Sequence, residues 1–404
     1  MTVLPFLPYG RQVIDETDIA AVTEVLRGDW LTCGPAVPRF EEALAASVNA
    51  PYAVACSSGT AALHLAALAL ELGPGDAVVV PAVTFLATAN AARFVGAEVI
   101  FADVHPDTGL MGVAHLEEAL ARVPAGLTPK ALFLVHLAGR ICPELPRMRA
   151  VAAAHGMVVV EDACHALGSA MTFPDGAKTR AGDCQYSAMT VFSFHPVKTV
   201  AMGEGGALTT RSADLHLRLT RLRAHGMTRD PAEWLFPQQG LAPDGQPNPW
   251  YYEMPQLGFN YRASDIHCAL GASQLARLES FVRKRKELAQ TYDRLLHAFA
   301  PDLRTPEPHP GCEAAWHLYV IRVDFARLGI PRARFMNRLR DKGVGSQVHY
   351  LPLHLQPYYR QRHGDLRLPG AEAWYARCLS LPLYPALSDA DQARVAEAVG
   401  SALA

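Results

Sequence analysis

From about residue 50 this chain interleaves short, continuously apolar runs with segments whose apolar positions recur every three to four residues. The runs at 52–56, 77–81, 99–104, 131–136, 157–161, 188–194 and 207–209 read as strands, and the periodic segments at 61–72, 87–94, 115–123 and 145–155 read as helices between them. Strands that are apolar on both faces and alternate with helices predict a mostly parallel central sheet flanked by helices, an α/β fold. An amphipathic helix over 15–27, opening near Asp15 and closing at Arg27-Gly28, precedes this unit.

The pattern changes at 228–256, a stretch rich in Pro, Gln, Trp and Gly that reads as a long functional loop. Residues 263–298 are strongly helical, as two helices. A strand (318–323), a helix (332–342), a strand (346–350) and a final helix (390–403) follow, composing a smaller α+β unit. The expected division is a large α/β domain over 1–262, which includes the N-terminal helix, and the long helices with a small C-terminal α+β domain over 263–404. The run Arg283-Lys-Arg-Lys286 reads as a solvated helix face.

With 404 residues, half of them apolar, the chain has ample material for two cores. A formal net charge of -2 gives no electrostatic case for nucleic acid or for a polybasic membrane surface. No apolar run approaches the length of a membrane span, and the opening Met1-Thr-Val-Leu-Pro-Phe-Leu-Pro-Tyr9 lacks the features of a secretion signal. The eight cysteines are scattered without a Cys-x-x-Cys, as expected of reduced thiols in the cytoplasm. The 16 histidines form no His-x-x-x-His pair, so no metal centre is expected.

Only six of the 37 basic side chains are lysines, and five of those six occupy polar surroundings. The sixth, Lys198, lies in Val191-Phe-Ser-Phe-His-Pro-Val-Lys-Thr-Val-Ala-Met-Gly-Glu-Gly-Gly206. A lysine kept in an apolar, glycine-rich segment suggests chemistry that arginine cannot do, because a desolvated lysine loses its proton and becomes a nucleophile. A snorkelling surface lysine is the plainer alternative. Gly203, Gly205 and Gly206 let the backbone double back after it.

Two other segments bear on that choice. In Cys56-Ser-Ser-Gly-Thr-Ala-Ala-Leu63 a strand ends, Gly59 permits a tight turn and a helix begins, so backbone amides form an anion site suited to phosphate; Ser-Gly-Thr also simply caps helices. In Val158-Val-Val-Glu-Asp-Ala-Cys-His165, Asp162 closes an apolar strand, where α/β folds place ligands and where a carboxylate needs a cationic partner. On its own such an aspartate more simply caps the next turn. Ser193, on the strand leading to Lys198, offers a hydroxyl to a phosphate or to a strand-end hydrogen bond. A nucleophilic lysine, a strand-end acid and a phosphate cradle are together what pyridoxal 5'-phosphate requires. Phe85 is a candidate to stack on the ring, or else a core residue.

Taken jointly, Ser57-Ser-Gly-Thr-Ala-Ala-Leu63, Thr84-Phe-Leu-Ala-Thr-Ala-Asn90, Glu161-Asp-Ala-Cys-His165, Ser193-Phe-His-Pro-Val-Lys198 with Gly203-Glu-Gly-Gly206, and Gly258-Phe-Asn-Tyr-Arg262 resemble the DegT/StrS nucleotide-sugar aminotransferases, a fold-type I pyridoxal-phosphate group. The resemblance spans nearly the whole chain. It implies that Lys198 forms the Schiff base and shuttles protons, that Asp162 pairs with the pyridine nitrogen, and that His165 sits near the phenolic oxygen. It also implies that Thr60, Ala61 and Ser193 hold the phosphate and that Asn260 reaches the phosphate of a neighbouring subunit's cofactor, which makes the enzyme a homodimer with shared sites. L-Glutamate is the implied amino donor, with pyridoxamine 5'-phosphate formed during turnover.

Within the family, Pro8-Tyr-Gly-Arg-Gln12, Gly28-Asp-Trp-Leu-Thr-Cys-Gly-Pro35, Thr190–Lys198 and Gln347-Val-His-Tyr-Leu-Pro-Leu-His-Leu-Gln-Pro-Tyr-Tyr359 are most similar to the subgroup that aminates C4 of UDP-2-acetamido-2,6-dideoxy-β-L-arabino-hexos-4-ulose in pseudaminic acid synthesis. The sequence departs from the family at Cys33, where Gln is usual, at Ala201-Met202, which replace hydroxyl residues, and over 134–142, all outside the implied catalytic set. D-series UDP-4-keto-6-deoxy-N-acetylglucosamine and a GDP-perosamine precursor stay open as substrates, because a methyl or an epimeric hydroxyl is worth only about 1–3 kcal/mol in an apolar pocket. Tyr9, Trp30, His349 and the loop at 228–256 are candidate sugar or nucleotide contacts. A related class, sugar 3-dehydratases, typically carries His at the lysine position, and a non-catalytic sensor would have lost Lys198, Asp162 or the cradle.

Overall fold

The computed structural model describes residues 5–404; Met1–Leu4, the start of the segment read above for a leader, lie outside the described residues. Two helices open the chain, α1 (Glu16–Arg27) and α2 (Ala36–Val48). Then come β1 (Tyr52–Cys56), α3 (Gly59–Ala69), β2 (Asp76–Pro81), α4 (Leu86–Phe94), β3 (Glu98–Ala102), α5 (Val113–Ala121), β4 (Thr128–Val135), α6 (Leu145–Ala154) and β5 (Val158–Asp162). A short antiparallel pair, β6 (Ala170–Thr172) and β7 (Lys178–Arg180), precedes β8 (Met189–Ser193) and β9 (Gly206–Thr210).

Seven strands form one sheet in the order β1-β9-β8-β5-β4-β2-β3. Only β9 runs against its neighbours. The other six therefore end at one edge, where loops meet helix N-termini, the usual ligand edge of such sheets. β9 enters from that same edge, and its first residue, Gly206, lies opposite both Cys56 and Ser193. The strands are buried along nearly their whole length, as the unbroken apolar runs require.

Beyond α7 (Ala213–Leu222), residues 228–256 form an irregular loop with one four-residue helix, α8 (Pro237–Gly240). Helices α9 (Asp265–Leu275) and α10 (Leu278–Leu296) follow, as the periodicity indicates. A second, three-stranded sheet joins β10 (Leu303–Arg304), β12 (Tyr319–Val323) and β13 (Cys378–Leu381) antiparallel, while β11 (Cys312–Glu313) pairs with β6. Around it lie α11 (Phe325–Leu328), α12 (Arg332–Asp341), α13 (Pro357–His363), α14 (Pro369–Arg377) and α15 (Asp389–Leu403). The apolar contacts form two clusters. One surrounds the seven-stranded sheet and takes in Cys268, Leu275 and Leu278; the other gathers Leu7, Leu288, Tyr292 and the C-terminal elements. No helix among the described residues is long and apolar enough to cross a membrane.

The pair β6 and β7, helices α7, α13 and α14 and strand β13 have no counterpart in the sequence expectations, and three further local outcomes differ from them. Helix α2 has no counterpart there; Pro35 and Pro38 at its start are tolerated because first-turn amides need no helical partner, and Phe40, Leu44 and Val48 supply its buried stripe. The segment 346–350 is not a strand: a single bridge, Gln347 to Ser380, replaces it, and the chain turns instead to line a cavity. The run 283–286 is not uniformly solvated. Arg285 is buried and donates through Nη1 to the carbonyls of Trp316, His317 and Leu383, while Arg283 and Lys286 stay exposed. Arg285 thus ties α10 to two segments of the C-terminal unit, and burial holds its guanidinium at about 10, well below its ordinary value. Arg285→Leu removes the donor from three carbonyls, two of its three bonds being long. Urea unfolding should show a loss of roughly 2–4 kcal/mol.

Candidate active site

The strand ends of the large sheet open onto a cavity of about 630 Å³. Gly59, Thr60, Phe85, Asp162, His165, Ser193 and Lys198, far apart in the sequence, all reach its wall. Sheet register explains much of this convergence. Cys56, Gly206 and Ser193 align across β1, β9 and β8, and Asp162 pairs with Val191, two residues before Ser193.

Two glycines allow the close approach. A Cβ on Gly206 would stand 2.2 Å from the carbonyl oxygen of Ser58, and one on Gly59 would stand 2.8 Å from Cβ of Ser193. Helix α3 therefore begins directly against the end of β8. Ser58 is its N-cap, and the Ser58 hydroxyl accepts the amide of Ala61 at 3.1 Å. That leaves the first-turn amides of Gly59 and Thr60, which an α-helix cannot satisfy internally, directed at the cavity edge. Ala61 itself is buried, does not line the cavity and has its amide capped, so of the phosphate contacts implied within one subunit it is the one this structure does not bring forward.

Lys198 hangs on the connection between β8 and β9. Phe194 donates its amide to Gly205 at 2.9 Å and accepts from Met202 at 2.8 Å, and Gly203 turns the chain at φ +81°. These bonds are the doubling-back that the glycines imply. Burial lowers the proton affinity of the Lys198 amine, and the negative charge of Asp162 partly opposes the shift. Asp162 is buried; its Oδ2 accepts from the Thr88 hydroxyl at 2.7 Å and its Oδ1 from the Cys164 amide at 3.2 Å. Burial raises the Cys164 thiol well above its usual value, so it stays protonated and inert.

Three buried histidines stand near the amine: His165, His317 and His349. Desolvation holds all three below the ordinary imidazole range, His349 at about 3, and the Lys198 charge adds to each shift. His165 Nδ1 accepts from the Ala138 amide at 3.3 Å, which places its proton on Nε2, facing the Tyr350 hydroxyl at 3.1 Å. His317 packs its ring 4.4 Å from His165, and His349 meets the Ser380 hydroxyl at 2.7 Å. Phe85 is half exposed at the mouth, 6.2 Å from the Tyr350 ring.

Tyr9 and His349, singled out as sugar or nucleotide contacts, line the cavity; Trp30 is exposed and does not, and neither does Asn260 of this subunit. Cys33, Arg140, Ala201 and Met202, the family departures, also lie off the cavity, although Val135 reaches it. Nothing in the sequence marks Thr84, Thr88 and His317 as contributors. The two threonines lie within a recognisable motif but carry no signal of which hydroxyl faces the acid, Tyr350 lies in the 347–359 motif beside His349, and His317 arrives from the C-terminal unit by tertiary packing alone.

A cavity at the carboxyl ends of a largely parallel sheet, holding a desolvated lysine, a strand-end carboxylate and a helix N-terminus, defines an α/β enzyme of the fold-type I aminotransferase class. Residues 12–400 match the DegT/DnrJ/EryC1/StrS aminotransferase family, and the chain belongs to that family. It is 39% identical over 399 residues to the spore coat polysaccharide biosynthesis protein SpsC of Bacillus subtilis (strain 168), covering 98% of this chain and 96% of that protein. Its fold superposes on Helicobacter pylori PseC, an aminotransferase involved in the biosynthesis of pseudoaminic acid, with a TM-score of 0.86 and 27% identity, over 98% of this chain and 99% of that one. The putative sugar aminotransferase Spr1654 of Streptococcus pneumoniae, in its PLP-form, gives a TM-score of 0.85 at 28% identity over 98% of both chains.

The buried histidines set an acid limit on stability. Each is neutral in the folded protein but takes up a proton below about pH 6.5 once unfolded, so the stability tied to it is present above that value and is lost as pH falls towards the folded one. For His349, depressed to about 3, the loss between pH 7 and pH 5 is about 2 kcal/mol. Urea denaturation at the two pH values should show His349→Gln losing about that much less than the parent.

Proposed function

We propose that this protein is a pyridoxal 5'-phosphate-dependent aminotransferase that moves an amino group from L-glutamate to C4 of a UDP-linked 4-keto-6-deoxy-N-acetylhexosamine. The reading is carried by one observation: the Lys198 amine, the Asp162 carboxylate and the free amides of Gly59 and Thr60 converge on one cavity. These are the three groups the cofactor needs, and the close packing of Gly59 on Ser193 leaves the phosphate end open to backbone donors. When bound, the cofactor supplies the electron sink that makes a C–H bond beside nitrogen acidic.

The residues divide the work. Lys198 would hold the cofactor through its amine and, once released, would be the group that moves a proton; burial lowers the proton affinity of that amine, which favours this role. Asp162 keeps the ring nitrogen protonated. Gly59, Thr60 and Ser193 hold the phosphate, with Ala61 contributing through the capped helix turn. Phe85 would stack on the ring and His165 would sit near its phenolic oxygen. The donor leaves as 2-oxoglutarate before the keto sugar enters.

Lys198 is the one lysine or arginine lining the cavity among the described residues. The carboxylates of glutamate and the diphosphate of a nucleotide sugar both call for further cations. A second copy of the chain would bring them, with its Asn260 at the phosphate, which supports a homodimer with shared sites. The exposed side chains of Trp250 (71%) and Leu257 (77%), on and beside the loop at 228–256, are suited to burial in such an assembly. All eight cysteines are free, in keeping with a cytoplasmic enzyme.

The particular substrate proposed is the β-L-arabino 4-keto sugar, giving UDP-4-amino-4,6-dideoxy-N-acetyl-β-L-altrosamine for pseudaminic acid; likeness to PseC and the motifs at 8–12, 28–35 and 347–359 support it. The test is the visible absorbance of the purified enzyme mixed with glutamate and then with each keto sugar. Loss of the band with glutamate and its return with the L-arabino sugar is the expected result. Return only with a D-series or GDP-linked sugar reassigns the substrate, and a band indifferent to every amino donor sinks the transaminase. Lys198→Arg should lower turnover by at least a thousandfold while keeping the fold, and Asn260→Ala should weaken cofactor retention on gel filtration.

A further inference from the structure

We infer that Thr88, backed by Thr84, is a positioning residue for Asp162, two hydroxyls in series pinning one carboxylate oxygen so that the other faces the cavity. This rests on the cavity being a pyridoxal phosphate site. Asp162 Oδ2 accepts from Thr88 Oγ1 at 2.7 Å, and Thr88 Oγ1 lies 2.8 Å from Thr84 Oγ1. An ionised carboxylate only accepts, so the single hydroxyl proton of Thr88 points at Asp162 and Thr84 must donate to Thr88. The chain therefore has one direction, and each bond in it polarises the next.

Packing alone does not call for a threonine here. Thr88 is 0% exposed and sits in α4 among buried Ala87, Ala89, Ala91 and Ala92. Valine has a similar size and brings no hydroxyl to bury. A helical threonine commonly turns its hydroxyl back to a carbonyl three or four residues earlier, whereas this one leaves its helix for the end of β5. Thr84, 2% exposed, lies just before α4 and lines the same cavity. On the other side, Asp162 Oδ1 has only the longer bond from the Cys164 amide. It keeps accepting capacity towards the cavity, where a ring nitrogen would stand. The ionisable groups facing Asp162 are Lys198, Cys164 and Tyr350, with His165 close by; burial keeps the thiol, the phenol and the imidazole neutral, so Lys198 is the neighbouring charge.

A carboxylate pinned by one oxygen keeps its other oxygen turned towards the cavity. Without the Thr88 hydroxyl that orientation loosens, and the ring nitrogen is held less firmly as its protonated form. Resolved enzyme titrated with pyridoxal phosphate should show Thr88→Val binding about tenfold more weakly. The pH midpoint of the bound cofactor's visible absorbance should rise, because a less protonated ring withdraws less charge from the Lys198 linkage. Thr88→Ser restores the hydroxyl and should return both to within about twofold of the parent. Thr84→Val should raise the midpoint less, and should add nothing in the Thr88→Val background, since the outer hydroxyl acts through the inner one.

A purely structural threonine would lower thermal stability and leave the midpoint in place. Unchanged affinity and midpoint in Thr88→Val overturn the inference, as do losses from the two valine variants that multiply. If Thr88→Val does not fold, an unmoved midpoint in Thr84→Val overturns it equally. Parent enzyme that binds no pyridoxal phosphate overturns the proposed function instead, before any variant is made.

Discussion

Asp162 is a carboxylate at the end of a strand whose other positions are Val158, Val159, Val160 and the buried Glu161. Placing an ionised group there costs several kcal/mol unless hydrogen bonds and a counter-charge offset it. Much of the local architecture answers that demand. Helix α4 brings the Thr88 hydroxyl, the turn after β5 brings the Cys164 amide, and the β8–β9 connection brings the Lys198 amine. Glu161 projects to the opposite face of the strand and is met separately by His136 and Ser187, at 2.6 and 2.5 Å. Two acids in sequence thus have two separate sets of partners, and only one of them looks into the cavity.

The second constraint is steric. With Gly206 opposite both Cys56 and Ser193, and Gly59 packed on Ser193, one end of the cavity is assembled from three strands and a helix that nearly touch. A side chain at either glycine forces the helix start away from the sheet. The start of α3 and the segment that carries Lys198 are therefore packed against one another at that end of the cavity.

How much of this can be read from residues alone varies by element. The seven-stranded sheet is legible because its strands are apolar on both faces and bracketed by helical patterns. Lys198, Asp162 and Gly59 are legible because each is an unusual residue for its setting: a lysine among apolar neighbours, an acid on an aliphatic strand, a glycine at a helix start. Helix α2 is hidden by prolines whose effect depends on their place in the first turn. Arg285 is hidden in a charged run because only the arrival of three carbonyls from elsewhere makes it a buried residue. His317 is hidden for the same reason, and Tyr350, though inside the 347–359 motif, has nothing local to point it at His165: a wall contributed by a separate unit leaves no local periodicity. Thr84 and Thr88 lie between these cases, four residues apart on what becomes the same side of a helix start, with nothing in the sequence to name Asp162 as their target.

The strand that runs against the others has one further effect. Because β9 returns antiparallel beside β8, the chain between Ser193 and Gly206 closes as a hairpin instead of crossing the sheet through a helix. Both ends of the lysine's segment are thus anchored to one rung of the ladder, Ser193 paired with Gly206, and its internal bonds span no more than about a dozen residues. Contacts of such short range form without waiting for the distant C-terminal unit. The Lys198 amine is accordingly carried by a part of the cavity wall that its own neighbourhood sets in place. The wall at 347–356 comes instead from the C-terminal part of the chain and depends on how the two cores pack. That wall can therefore change while the segment around Lys198 stays as it is.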